Sequence, residues 1–83
     1  MNRDYITFRS ITPAQQAQRL LRQAGMDAVL SRTPRALEQL GCGYCLRLYP
    51  QDTQQAILRL QQAGIQFRKI YSEENGHMEE RLL

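Results

Sequence analysis

The chain has no tryptophan, a single histidine, two cysteines and two phenylalanines in 83 residues. Each scarcity removes a class of function. A lone His77 and two thiols cannot furnish an all-nitrogen or four-thiolate metal centre, and a zinc site here would need carboxylates or a second chain. Two cysteines do not make the dense disulfide framework of a small secreted domain. No apolar run approaches the ~20 residues of a membrane helix. The opening Met1-Asn2-Arg3-Asp4-Tyr5 is polar and lacks a signal-peptide pattern, so a cytoplasmic location is expected. The net charge of +3 is mild, and the arginines are spread along the chain rather than gathered in a run. Nucleic-acid binding is therefore not indicated.

What is present fits one small α+β domain. A chain this short buries only about 60% of its unfolded surface, so function belongs on a loop, edge or surface. Residues 4–9 alternate and are rich in β formers, predicting a strand. Thr12-Pro13-Ala14-Gln15 predicts a helix start with a capping box, and Ala17, Leu20, Leu21 and Ala24 form one apolar stripe ending at Gly25. Residues 27–31 and 44–49 predict two further strands. Asp52-Thr53-Gln54-Gln55 predicts a second capped helix, with Ala56, Ile57, Leu60 and Ala63 on its apolar side and Gly64 at its end. Residues 65–71 predict a fourth strand. The tail, 72–83, is polar and reads as disordered or as a frayed helix.

The chain repeats itself. Leu21-Arg22-Gln23-Ala24-Gly25-Met26 matches Leu60-Gln61-Gln62-Ala63-Gly64-Ile65. Two strand–helix–strand units interleave as ferredoxin-like βαββαβ, with a four-stranded antiparallel sheet in the order 4-1-3-2 and both helices on one face. In that topology the 32–43 connection emerges beside the start of the first helix, near Ser10 to Ala14.

That connection holds the chemistry. Gly41 and Gly43 flank Cys42 and leave its backbone permissive. Positive potential lowers a thiol's pKa. A helix N-terminus, Arg9, Arg32 and Arg35 would supply such potential. The functional reading is a poised thiolate at Cys42; the plain one is a small buried residue in a turn. Cys45 completes a C-x-x-C, a spacing used in dithiol redox chemistry and in half of a zinc site. Here, however, the motif opens a strand, whereas redox motifs of this spacing open a helix. Strand alternation puts Cys45 on the helix-free face with Arg47. Tyr5, Tyr49, Arg9, Arg47 and Arg68 are expected to share that face, without the aromatic signature of single-stranded RNA binders.

The residues Tyr5-Ile6-Thr7-Phe8-Arg9-Ser10, the Ala/Leu-rich helix ending at Gly25, Thr33-Pro34-Arg35 and Cys42-Gly43 resemble the selenium/sulfur carrier protein-like family of small bacterial and archaeal proteins, over residues 4–71. The resemblance implies that Cys42 carries the atom as a persulfide or selenopersulfide. Gly43 would lie beside it, and Thr33, Pro34 and Arg35 would shape the approach. It implies donor and acceptor proteins as partners, no cofactor, and a carrier rather than a turnover enzyme. Two departures stand out. Glu38-Gln39-Leu40-Gly41 replaces the family's Ser-rich approach, and Cys45 replaces an apolar residue. The second opens an alternative, a thiol–disulfide module using Cys42 and Cys45. A third reading is an interaction domain that dimerises through the sheet, with both cysteines incidental.

Overall fold

The computed structural model describes residues 2–33 and 43–81. Cys42, Pro34 and Arg35 lie outside the described residues. Strands β1 (Arg3–Phe8), β2 (Val29–Arg32), β3 (Tyr44–Leu48), β4 (Ile70–Glu74) and β5 (His77–Arg81) form one sheet, and two helices, α1 (Ile11–Gln23) and α2 (Pro50–Gln62), complete the fold. The strand order is β2-β3-β1-β4-β5, with every neighbouring pair antiparallel.

Registers explain the two faces. Ile6 lies opposite Leu46 on one side and Ile70 on the other, and Leu46 lies opposite Leu30. Side chains alternate along a strand, so this row points to a single face. Ile6, Leu46 and Ile70 are buried there in one cluster with Ala14, Ala17 and Leu21 of α1 and Ala56 and Leu60 of α2. Both helices thus cover the same face. Each fully buried Leu or Ile contributes about 2–3 kcal/mol of transfer free energy.

The repeated segments make the same helix end twice. In α1 the Met26 N–H donates to the Leu21 carbonyl at 3.0 Å and the Gly25 N–H to Arg22 at 3.0 Å. In α2, Ile65 donates to Leu60 at 3.0 Å and Gly64 to Gln61 at 3.2 Å. This paired pattern is the Schellman motif, and it needs a left-handed residue after the last helical one. Gly25 (φ 87°) and Gly64 (φ 72°) supply it.

Three expectations are corrected. The sheet has five strands rather than four, because residues read as a tail form the end of β4 and all of β5. Asn75 (φ 52°) and Gly76 (φ 80°) make the two-residue turn between them, the conformation that matches the twist of a hairpin. The helix starts also move. α1 begins at Ile11 after Ser10, and α2 begins at Pro50 after Tyr49; neither N-cap residue makes a side-chain cap. Thr53, expected inside a capping box, instead donates its hydroxyl to the buried Asp4 carboxylate at 2.7 Å. A buried carboxylate is a strong, charge-assisted acceptor for that hydroxyl proton.

Candidate functional site

The strands position one end of the sheet. Phe8 closes β1 opposite Tyr44, the first residue of β3, and Tyr44 faces Arg32, the last residue of β2. Helix α1 starts three residues after Phe8, so its N-terminus lies at this same end. The Thr33 N–H donates to the Gly43 carbonyl at 3.0 Å, extending the β2–β3 ladder by one bond. The residues on either side of 34–42 are therefore held together, with Gly43 buried and Thr33 half-buried.

Arg9, the first residue past β1, is exposed. With Ser10, Pro13, Gln66, Phe67 and Arg68 it lines a cleft of about 430 Å³. Arg9 thus belongs to this end and lines the cleft beside the start of α1, rather than the open sheet row formed by Tyr5 with Arg47 and Tyr71. The Thr7 N–H donates to the Lys69 carbonyl at 2.8 Å while the Thr7 carbonyl accepts from the Arg68 N–H at 2.8 Å. Two residues oppose one, as in a β-bulge, and that offset brings Arg68 to the cleft.

Cys45 lies on the helix-free face yet is fully buried. It sits between Thr7 of β1 and Ser31 of β2. Its Sγ is 3.4 Å from Ser31 Oγ, and the thiol donates weakly to the Arg32 carbonyl at 3.8 Å. Burial pushes its pKa up from the ordinary value of 9.0; the Ser31 hydroxyl, Arg47 and the Thr33 hydroxyl pull it down without cancelling that rise. The thiol is held neutral at physiological pH, the reverse of what a primary nucleophile needs. Thr33 Oγ1 is buried near enough to the Cys45 thiol to act on its charge, yet makes no hydrogen bond of good geometry among the described residues.

Of the residues singled out in the sequence, Thr33, Gly43 and Arg9 gather at the α1 end of the sheet. Cys45 lies there too, buried on the helix-free face. Ser31 was not singled out. Its signal was the period-2 alternation that sets it opposite Cys45, readable only once the β2–β3 register is known. His77 is exposed on β5. Among the described residues no group of three or more His, Cys, Asp or Glu side chains is placed to hold a metal ion, and no helix is long and apolar enough to cross a membrane.

The family model described as "Putative Se/S carrier protein-like" matches residues 3–72. The chain belongs to that family. No curated protein and no solved structure matches the chain significantly. The family match takes in β1 to β3, both helices and the start of β4, and stops within β4. The carrier-like unit thus includes the whole α1 end of the sheet, while the β5 strand lies beyond it.

Proposed function

We propose that this protein carries sulfur or selenium as a persulfide or selenopersulfide on Cys42. The single observation that carries the reading is the family match over residues 3–72, which spans Cys42 and the Thr33-Pro34-Arg35 turn. The described geometry supports it. Gly43, the residue after Cys42, is anchored to Thr33 at the sheet end where α1 begins and where Arg9 and Arg32 stand exposed. Positive potential there favours the thiolate and the anionic persulfide. Arg9 and Arg35 are the cations assigned to that task, and Thr33, Pro34 and Gly43 shape the approach.

In the transfer step the Cys42 thiolate attacks the outer sulfur of a donor persulfide. The donor S–S bond breaks, the donor leaves as a thiolate, and a new S–S bond holds the sulfur on Cys42. Nothing is oxidised overall, and the reverse step onto an acceptor thiol unloads the carrier.

The alternative thiol–disulfide module asks Cys45 to attack or resolve. Its complete burial and raised pKa weigh against that role in the folded protein.

The deciding experiment is intact mass after incubation with a cysteine desulfurase and cysteine, for wild type, Cys42→Ser and Cys45→Ser. A gain of one sulfur that needs Cys42, survives Cys45→Ser and is reversed by reductant supports carriage. Equal gain in Cys42→Ser, or none in wild type, removes it.

A further inference from the structure

The sheet face turned away from the helices is self-complementary under a two-fold turn. Registers set its rows. Val29 of β2, Arg47 of β3, Tyr5 of β1, Tyr71 of β4 and Glu80 of β5 lie side by side in one row. Arg3, Glu73 and Met78 form the next row toward the start of β1. The Tyr49 ring joins that row, with the Arg3 guanidinium 4.2 Å from its centre. Side chains alternate along a strand, and Ile6, Leu46 and Ile70 are the ones packed against the helices, so both rows point the other way. Arg47, Glu80 and Tyr49 are exposed, and Tyr5, Tyr71 and Met78 are half-buried.

The charges divide across this face. Arg47 stands on β3, on one side of β1, and Glu80 on β5, beyond β4 on the other side. A two-fold axis running along the strands between β1 and β4 carries β1 onto the β4 of a second copy and β3 onto its β5. The rows stay in step. Tyr5 then meets the partner's Tyr71, Arg47 the partner's Glu80, and Tyr49 the partner's Met78, and the symmetry makes each contact twice. Sheets packed this way keep their strands nearly aligned, about 10 Å apart, with side chains interleaved. Four tyrosine rings occupy the centre, where offset ring pairs stabilise beyond the area they bury. A thioether against a ring edge adds to them, and a guanidinium–carboxylate pair flanks them on each side. Contacts within the chain are kept. Glu73 accepts from the Tyr5 hydroxyl at 3.3 Å and Glu80 pairs with Lys69 at 3.4 Å, and a carboxylate has room for a further donor.

We propose that this face is the interface of a symmetric homodimer, its occupant a second copy of this chain seated sheet to sheet. Charge complementarity under the two-fold axis selects that occupant. A nucleic-acid strand fits less well, since Glu73 and Glu80 share the rows of the tyrosines and repel phosphate. Pairing edge to edge through β5 also fits less well: centred on Glu79, it sets that carboxylate against its own copy. Five strands about 4.8 Å apart and about 17 Å long give a face of about 400 Å² per copy, which puts the dimer in the weak class. The contact rows lie toward the start of β1, whereas Thr33 and Gly43 lie past its end. The pairing therefore does not depend on what Cys42 carries.

The test follows the full chain in reducing buffer, where no intermolecular disulfide forms. Sedimentation velocity and concentration-dependent amide shifts are read from about 10 µM to about 1 mM, a range that brackets weak association. A monomer–dimer equilibrium within that range is expected, with shifts concentrated at Tyr5, Arg47, Tyr71, Met78 and Glu80. Arg47→Glu and Glu80→Arg should each weaken the dimer by about tenfold or more, since each sets like charges together twice. Arg47→Glu combined with Glu80→Arg keeps the net charge and should restore affinity to within about threefold of wild type. Arg19→Glu, at an exposed position of α1, changes the net charge as Arg47→Glu does and should cost less than about threefold, a screened long-range effect. Shift dispersion in each variant reports folding, and Arg47→Gln or Glu80→Gln replaces a reversal that does not fold. A single monomeric species throughout, or shifts centred on other residues, would overturn the proposal. So would equal losses in Arg19→Glu and Arg47→Glu, or a combined variant no better than either single one. Binding of a single-stranded DNA at the same residues more tightly than a second copy would overturn it in favour of a nucleic-acid surface.

Discussion

The Asp4 carboxylate, near the start of β1, accepts a hydrogen bond from the Arg81 guanidinium, at the end of β5, at 3.2 Å. The two residues are separated by nearly the whole chain. Asp4 is 1% exposed, and Thr53 Oγ1 at 2.7 Å and Ser72 Oγ at 2.9 Å complete its ring of donors. One buried acid thus joins β1, α2, β4 and β5. Asp4→Ala should destabilise the fold by about 3 kcal/mol, since the buried Thr53 hydroxyl, the half-buried Ser72 hydroxyl and a guanidinium lose their acceptor together. Arg81→Ala should cost less, about 1 kcal/mol, because Arg81 is half-exposed and the hydroxyls still serve Asp4. Urea denaturation gives both values. Hydrogen exchange should show faster opening of 77–81 in Arg81→Ala, and unchanged protection there would count against the docking role of this pair.

Burial of Cys45 makes a kinetic statement. In native buffer its alkylation should run at less than about a tenth of its rate in urea, where the thiol is exposed and ionises normally. Peptide-level mass spectrometry assigns the site. Rapid native labelling of Cys45 would contradict the fully buried placement.

The same thiol carries a pH dependence. Its pKa is raised in the folded state, so the folded chain holds the proton longer than the unfolded one. The stabilisation is present below the ordinary value of 9.0 and is lost as pH rises from there through the folded value. Tyr5, raised from 10.0 mainly by burial and then by Glu73, adds a similar loss at higher pH. Wild type should lose stability as pH rises above about 9, where the unfolded thiol ionises and the folded one still holds its proton. Cys45→Ala should lose less over that window. Parallel wild-type and Cys45→Ala curves would show that the thiol does not titrate differently on folding.

Gly25 and Gly64 should respond alike. A Cβ added at either meets nothing within 4 Å, so the cost of alanine is the left-handed backbone and not a clash. Each substitution should destabilise by about 1 kcal/mol, measured by thermal or urea unfolding. A marked difference between the two would mean that the repeated helix ends are not equivalent in energy.

Local pattern made the helices legible. The stripe Ala17, Leu21 and its counterpart Ala56, Leu60 is buried, and the glycines end both helices through the same pair of bonds. The core strands β1 and β3 were visible in their β-forming alternation. The family, too, was visible in the residues between Tyr5 and Gly43. Both helix starts were misplaced because the cap signals were read too far along the chain: α1 begins at Ile11, and α2 begins at Pro50, whose fixed φ suits the first helical position. Thr53, inside α2, bonds instead to Asp4, 49 residues away, a partner that no local pattern shows.

The sequence by itself thus determined the α+β class, the two helices with their glycine ends, the apolar faces and the thiols on which chemistry could rest. Tertiary structure alone decided that the polar tail pairs as β5, that Asp4 and Arg81 meet, that Ser31 lies against Cys45, and that three scattered arginines share one end. The division has a physical cause. Helix periodicity and left-handed caps are set by neighbours within a few residues, while strand register and charge juxtaposition form only when distant segments pair, and their energies do not exist before that pairing.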